Sequence, residues 1–149
     1  MDSISNIIMA SNNESNTFNH ACNNYNAFVH LKSNSNFDDW VITTGFYSAL
    51  KFLEDKLFPG DYEHPKRGVV ETFKTFNNYV SALRSLGSTN SHRVRLKLIE
   101  NNIEDLNIIN YYRDLEQSCH SARYIDYKVG KDRLDMCTEA VEAIRTYCV

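Results

Sequence analysis

The stretch DDWVITTGFYSALKFLEDKLF, residues 38–58, decides the fold of this chain. Its apolar side chains recur at helical spacing, and further aliphatic and aromatic residues extend the apolar surface onto the flanking faces. A helix that is apolar over most of its circumference is usually central in a bundle. Gly45 and its small neighbours would let a second helix approach closely. Asp38 and Asp39 look like N-terminal capping acids and not like a catalytic carboxylate pair.

Outward from this helix, the same periodicity continues in both directions. Alternation in 91–102 would allow a strand there, but the Ser-rich start and the helical surroundings favour a short helix. The motif PGDYEHP, 59–65, should stop the central helix and form a loop. The other helices are predicted at about 16–32, 66–86, 91–102, 103–127 and 131–148. The chain is therefore predicted to be all-α, a bundle of five or six helices, in a single domain spanning 1–149 with a frayed polar end at 1–15.

Composition and charge exclude several classes of protein. The net charge is -3, so a nucleic-acid role would need a local basic patch. The four cysteines form no CxxC motif and read as buried free thiols in a reducing compartment. The N-terminal stretch does not look like a signal peptide, and no apolar run is long enough to span a membrane. These features predict a cytoplasmic protein with no membrane partner, and nothing indicates a metal or an organic cofactor.

The segment YYRDLEQSCHSARY, 111–124, carries the most specific chemistry. Seven residues advance an ideal helix by about two turns, so Arg113 and His120 share a stripe, roughly 10 Å apart along the axis. Gln117 and Tyr124 fall near that stripe. An arginine can hold a phosphate with two hydrogen bonds, and a histidine can move a proton near neutral pH. The plainer interpretation is that this polar row is the solvated face of a bundle helix.

A second basic cluster, SHRVR at 91–95, places His92 and Arg95 on one helix face. It is either an ordinary surface patch or an edge that contacts phosphate. The other three histidines, His20, His30 and His64, are interpreted as structural or solvent-exposed.

The order of these segments resembles the HEPN superfamily of small prokaryotic helical domains. One branch of that superfamily has a D-W helix with F-Y-x-A-L, then S-H-x-x-R, then Y-x-x-L with A-R-Y further on. The match covers about residues 38–127, and residues 60–88 look like an inserted loop and helix. The matching residues are Asp39, Trp40, Phe46, Tyr47, Ala49, Leu50, Glu54, Ser91, His92, Arg95, Tyr112, Leu115, Ala122, Arg123 and Tyr124.

The resemblance implies a helical bundle, often a homodimer, in defence and toxin–antitoxin systems. Many members are metal-independent ribonucleases whose signature is an Arg, four to six residues and a His. Arg113 and His120 fit the loosest form of that signature, and Asp114 suits the polar position that often follows the Arg. In those ribonucleases two copies of the motif meet across the dimer in one cleft. No nucleotidyltransferase motif is present, so a paired antitoxin would be a separate protein.

Two functions follow from these observations. In the first, the protein is a metal-independent endoribonuclease: Arg113 binds the scissile phosphate and His120 is the general acid or base. Arg123 and Tyr124 then orient RNA, while His92 and Arg95 contact phosphate. In the second, the protein is a non-catalytic helical module that scaffolds a partner protein in a defence or regulatory complex. The net acidity, the loose motif and the inserted helix favour the second function.

Overall fold

The computed structural model describes residues 15–34, 36–84, 86–87 and 89–149. Apart from Ser15, the polar end predicted to be frayed lies outside the described residues. The described part is a bundle of six helices with one small sheet, which confirms the all-α prediction. The elements are α1 (Asn16–Lys32), α2 (Asp38–Leu57), β1 (Gly60–Glu63), β2 (Val70–Phe73), α3 (Phe76–Arg84), α4 (Ser91–Asn102), α5 (Leu106–Tyr124) and α6 (Lys131–Cys148).

Helix α2 is central, as its sequence predicts. It packs against α1, α5 and α6, and twelve of its twenty residues are buried. Gly45 lies at the tightest crossing: a Cβ placed there would be 2.8 Å from Cγ2 of Val141 and 3.0 Å from Cδ2 of Phe28. Because Gly45 has no side chain, α1 and α6 can pack closely against α2 at this position.

Capping residues fix where the shorter helices begin. Asn90 accepts hydrogen bonds from the backbone N–H groups of His92 and Arg93, so residues 91–102 form a helix and not a strand. Helix α2 differs from its prediction, because its N-cap is Phe37 and no side chain caps it by a hydrogen bond. Asp38 and Asp39 lie in its first turn, where carboxylates still favour the helix dipole.

The segment between α2 and α3 corrects two predictions. Residues 59–65 were predicted as a loop and 66–86 as a helix, but Gly60–Glu63 and Val70–Phe73 pair as antiparallel strands. The turn between them uses Gly68, whose φ of +62° lies in the left-handed region that glycine tolerates. The apolar residues of 66–86 fit helical spacing, but β-branched residues and a complementary strand favour the hairpin. The helix therefore begins only at Phe76.

Ring packing explains how this hairpin is held on the bundle. The ring of Tyr79 on α3 lies 5.2 Å from that of Phe73 and 5.5 Å from that of Tyr62, between centroids. Phe58, at the end of α2, packs on Tyr62 at 5.3 Å. Phe73 and Phe76 fit helical spacing in the sequence, but Phe73 lies in the hairpin and Phe76 in the short helix α3. The hairpin and this helix pack together through their aromatic rings.

No disulfide joins the four cysteines, all of which lie in the described ranges, and Cys22 and Cys148 are only half-buried, so the prediction that all four are buried is wrong for these two. Cys119 and Cys137 are buried, and burial raises the pKa of both. Burial also raises the pKa of Cys148, to about 12, so this thiol is a poor nucleophile. None of the helices in the described ranges is long and apolar enough to cross a membrane.

Candidate functional site

A cleft of about 480 Å³ opens between α5, the first turns of α4 and the middle of α2. Five of the six site residues predicted from the sequence line it. They are His92, Arg113, His120, Arg123 and Tyr124. Helix α5 provides most of the wall, while Phe46 and Tyr47 of α2 close it from the side.

The periodicity of α5 explains this gathering. Ile109, Tyr112 and Leu115 are buried and face the bundle. Side chains three, four and seven positions apart share a helix face, so the polar row of α5 lies together on the other side. Glu116, His120 and Arg123 succeed one another along that row at intervals of four and three residues. With a rise of 1.5 Å per residue, Glu116 and Arg123 are about 10 Å apart along the axis, and His120 lies between them.

Arg113, the predicted phosphate ligand, already has an acidic partner. Its Nη2 lies 2.5 Å and its Nε 3.2 Å from Oε1 of Glu100 on α4. Its Nη1 also donates to Oδ1 of Asn110 at 3.3 Å. About half of the Arg113 side chain remains exposed, so a phosphate can reach it only in competition with Glu100.

Arg123 has a different environment. Its Nη1 donates to the hydroxyl oxygen of Tyr47 at 3.2 Å, and its guanidinium lies 5.6 Å from the ring centroid of Tyr124. Within the described ranges no carboxylate lies within 4 Å of Arg123. Its positive charge is therefore available to an anion that enters the cleft.

His120 lies next to this arginine. Its ring packs on that of Tyr124, with 5.1 Å between centroids, and it makes no hydrogen bond or ion pair to any other described residue. Both ring nitrogens are therefore free for a ligand. A histidine one helical turn from an arginine without an acidic partner can exchange a proton with a group bound by that arginine.

Glu116 is the charged cleft residue that the sequence analysis missed. Its Oε1 lies 3.5 Å from Nδ1 of His92, and a quarter of its side chain is exposed. Burial raises the pKa of Glu116, while the charges of His92 and Arg95 act in the opposite direction. Its position three residues after Arg113 and four before His120 would have placed it on the same row.

The structure does not bring Arg95 into the cleft. It is buried, with its Nε 2.8 Å from Oε1 of Glu54 on α2 and its guanidinium 4.2 Å from the ring centroid of Phe76. Its position on α4 makes it a link to α2, while His92, three residues earlier, reaches the cleft. Of the other histidines, His20 and His30 are exposed on α1, and His64 accepts backbone hydrogen bonds in the hairpin turn.

No group of three or more His, Cys, Asp or Glu side chains that could hold a metal ion occurs in the part of the chain that the structure describes. The chain matches no protein-family model, no curated protein and no solved structure.

Proposed function

We propose that the protein is a HEPN-like, metal-independent endoribonuclease of a defence or toxin–antitoxin system, with its active site in the cleft on α5. The observation that carries this proposal is that His120 and Arg123 lie one turn apart on the face of α5 that lines the cleft. Among the described residues, the ring of His120 has no hydrogen-bond partner, and the charge of Arg123 has no acidic partner. This combination suits an RNA phosphodiester, because the arginine holds the phosphate beside a proton acceptor.

The reaction would be an internal transesterification. His120 accepts the proton of the ribose 2′-hydroxyl, and the 2′-oxygen attacks the adjacent phosphorus. The bond between phosphorus and the 5′-oxygen breaks, and the leaving 5′-oxygen takes a proton from solvent. The products are a 2′,3′-cyclic phosphate and a 5′-hydroxyl, and His120 returns its proton to water. Arg123 stabilises the charge that develops on the phosphoryl oxygens, with Tyr47 fixing its guanidinium.

Arg113 then contributes to RNA binding at the far end of the cleft. It lies about 10 Å along the axis from His120, whereas Arg123 is about 5 Å away. The scissile phosphate is therefore assigned to Arg123, and Arg113 contacts a neighbouring phosphate when RNA displaces Glu100. A homodimer with facing clefts would extend the binding surface, and Tyr124 and Ile125, about 70% and 74% exposed, suit such a contact.

The test is RNA cleavage in the presence of EDTA, on structured and unstructured RNAs. Wild-type protein should cleave, and His120→Ala should lose at least about a hundredfold in rate, the lower range for a general base. His30→Ala, at an exposed position on α1, is the matched control and should cleave like wild type. Equal cleavage by wild type and His120→Ala would refute the assignment. Cyclic phosphate ends on the products would support the transesterification.

A non-catalytic interaction module is the second candidate. Two observations favour it: Glu100 neutralises Arg113, and three large apolar or aromatic residues, Tyr124, Ile125 and Tyr127, are exposed at the end of α5 and just after it. An exposed apolar patch of this kind often marks a partner surface. Absence of cleavage by folded wild-type protein on every RNA would favour this candidate over the ribonuclease.

A further inference from the structure

We propose that the cleft selects guanine, with the Glu116 carboxylate binding the base and Arg123 binding the 3′-phosphate of the same nucleotide. The inference rests on the proposed ribonuclease function for its biological meaning, and it deepens that function by naming the nucleotide preceding the cleaved bond. Binding of the nucleotide itself can be measured without any cleavage.

The first argument is the asymmetry of charge along the cleft. At one end, Arg123 has only a neutral hydroxyl partner, Tyr47. At the other, Glu116 adds a carboxylate, and Glu100 already neutralises Arg113. While Glu100 neutralises Arg113, a free nucleotide that is negative at both ends would be repelled by Glu116. The arrangement suits a ligand with one anionic end and one end that donates hydrogen bonds, which describes a nucleotide and its base.

The second argument is spacing. Glu116 and Arg123 are about 10 Å apart along α5, comparable to the span of one nucleotide from phosphate to the far edge of its base. His120 lies between them, where the ribose of such a nucleotide would be. A base held by Glu116 and a 3′-phosphate held by Arg123 therefore bring the 2′-hydroxyl to His120. The cleft volume, about 480 Å³, is in the range of sites for a single small ligand.

The third argument is hydrogen-bond chemistry. An ionised carboxylate only accepts hydrogen bonds, and it has two oxygens side by side. The Watson–Crick edge of guanine offers two neighbouring donors, N1–H and the N2 amino group. The corresponding edges of adenine and cytosine combine one amino donor with a ring acceptor, and uracil places its single donor between two carbonyl oxygens. Guanine is therefore the base that a carboxylate favours on this edge.

The environment of Glu116 strengthens this preference. Among the described residues, its ionic partner within 4 Å is His92, at 3.5 Å, which is longer than a good hydrogen bond. The carboxylate is partly desolvated and accepts no hydrogen bond from another described residue, so donors from a base would replace lost water contacts.

The experiment is calorimetric titration of the four nucleoside 3′-monophosphates into the full-length protein. Wild type should bind guanosine 3′-monophosphate at least about fivefold more tightly than the other three, since a bidentate contact discriminates by that much or more. Glu116→Gln should lose this preference, because its amide presents one acceptor and one donor group. Glu104→Gln, an exposed position in the turn between α4 and α5, is the matched control and should keep the preference. Arg123→Met should weaken the binding of all four nucleotides to the same extent.

Several results would overturn the inference. Equal binding of the four nucleotides, or no binding to folded wild-type protein, would do so without any variant. A preference for guanine that survives in Glu116→Gln would remove Glu116 from recognition. Failure of the ribonuclease proposal is distinguishable: guanosine 3′-monophosphate would still bind selectively while RNA stayed intact. Conversely, RNA cleavage without base preference would keep the nuclease and exclude guanine selection.

Discussion

Arg95 on α4 reaches Glu54 on α2, 41 residues away in the chain, and its Nε lies 2.8 Å from Oε1 of that carboxylate. Both side chains are almost fully buried. Lys51 binds the second carboxylate oxygen at 2.6 Å, and the ring of Phe76 covers the guanidinium. This ion pair connects the helix that carries His92 to the centre of the bundle, so it positions one wall of the cleft.

Loss of this link should cost substantial stability. Arg95→Ala leaves the Glu54 carboxylate with Lys51 alone, and breaking a buried pair in this way typically costs about 3 kcal/mol or more in the free energy of unfolding. Urea denaturation followed by circular dichroism measures this cost. The control is Arg93→Ala, an exposed position on the same helix, which should change stability by less than about 0.5 kcal/mol. The double variant Arg95→Met/Glu54→Leu should recover much of the loss, and equal effects of Arg95→Ala and Arg93→Ala would contradict the prediction.

Gly45→Ala should destabilise the bundle, although alanine is the better helix former. The added methyl would lie 2.8 Å from Val141 and 3.0 Å from Phe28, both in the core. Overpacking of this kind costs about 1–3 kcal/mol, and the gain in helix propensity returns up to about 1 kcal/mol. Thermal unfolding should therefore show a lower midpoint for Gly45→Ala than for wild type. Lys97→Ala, at an exposed position on α4, is the control and should stay within about 0.5 kcal/mol of wild type. A raised midpoint for Gly45→Ala would show that Val141 and Phe28 move aside easily.

Glu100→Gln should strengthen RNA binding. This change removes the charge that neutralises Arg113 and leaves its guanidinium free for a phosphate. One additional phosphate contact should make the slope of log affinity against log salt steeper by about 0.7 on single-stranded RNA. Fluorescence anisotropy at several salt concentrations measures both affinity and slope. Glu104→Gln removes the same charge from a neighbouring exposed position and controls for net charge. An unchanged slope in Glu100→Gln would mean that Arg113 does not contact RNA.

The sequence predicted the parts of this molecule that depend on local periodicity. The last helix, 131–148, and the shared polar face of Arg113 and His120 on α5 follow from residue spacing alone. The hairpin could not be predicted in this way. Its strands pair residues that are distant in sequence, such as Gly60 and Phe73, and residue spacing within one segment carries no information about such pairing.

The contacts between side chains on different helices could not be predicted from the sequence either. His92 and Arg95 are three residues apart and fit one basic patch. In the structure, however, Arg95 is buried in an ion pair with Glu54. Glu116 was not singled out from the sequence, and only the structure shows it beside His92 in the wall of the cleft. The sequence thus predicts which residues share a helix face, while contacts between helices decide which of them a ligand can reach.

Selection of guanine should depend on pH in one direction. Because burial raises the pKa of Glu116, this side chain becomes neutral at a higher pH than an ordinary glutamate. The two guanine donors need the ionised carboxylate, so the ratio of guanosine to uridine 3′-monophosphate affinities should be full above this pKa. This ratio should fall towards unity as the pH decreases through the pKa of Glu116. The charges of His92, Arg95, His120 and Arg123 act on both nucleotides, so the ratio largely cancels their effects. Titrations between pH 7 and pH 4 measure the ratio, Glu116→Gln should give a flat profile, and a flat wild-type profile would refute the role of the carboxylate.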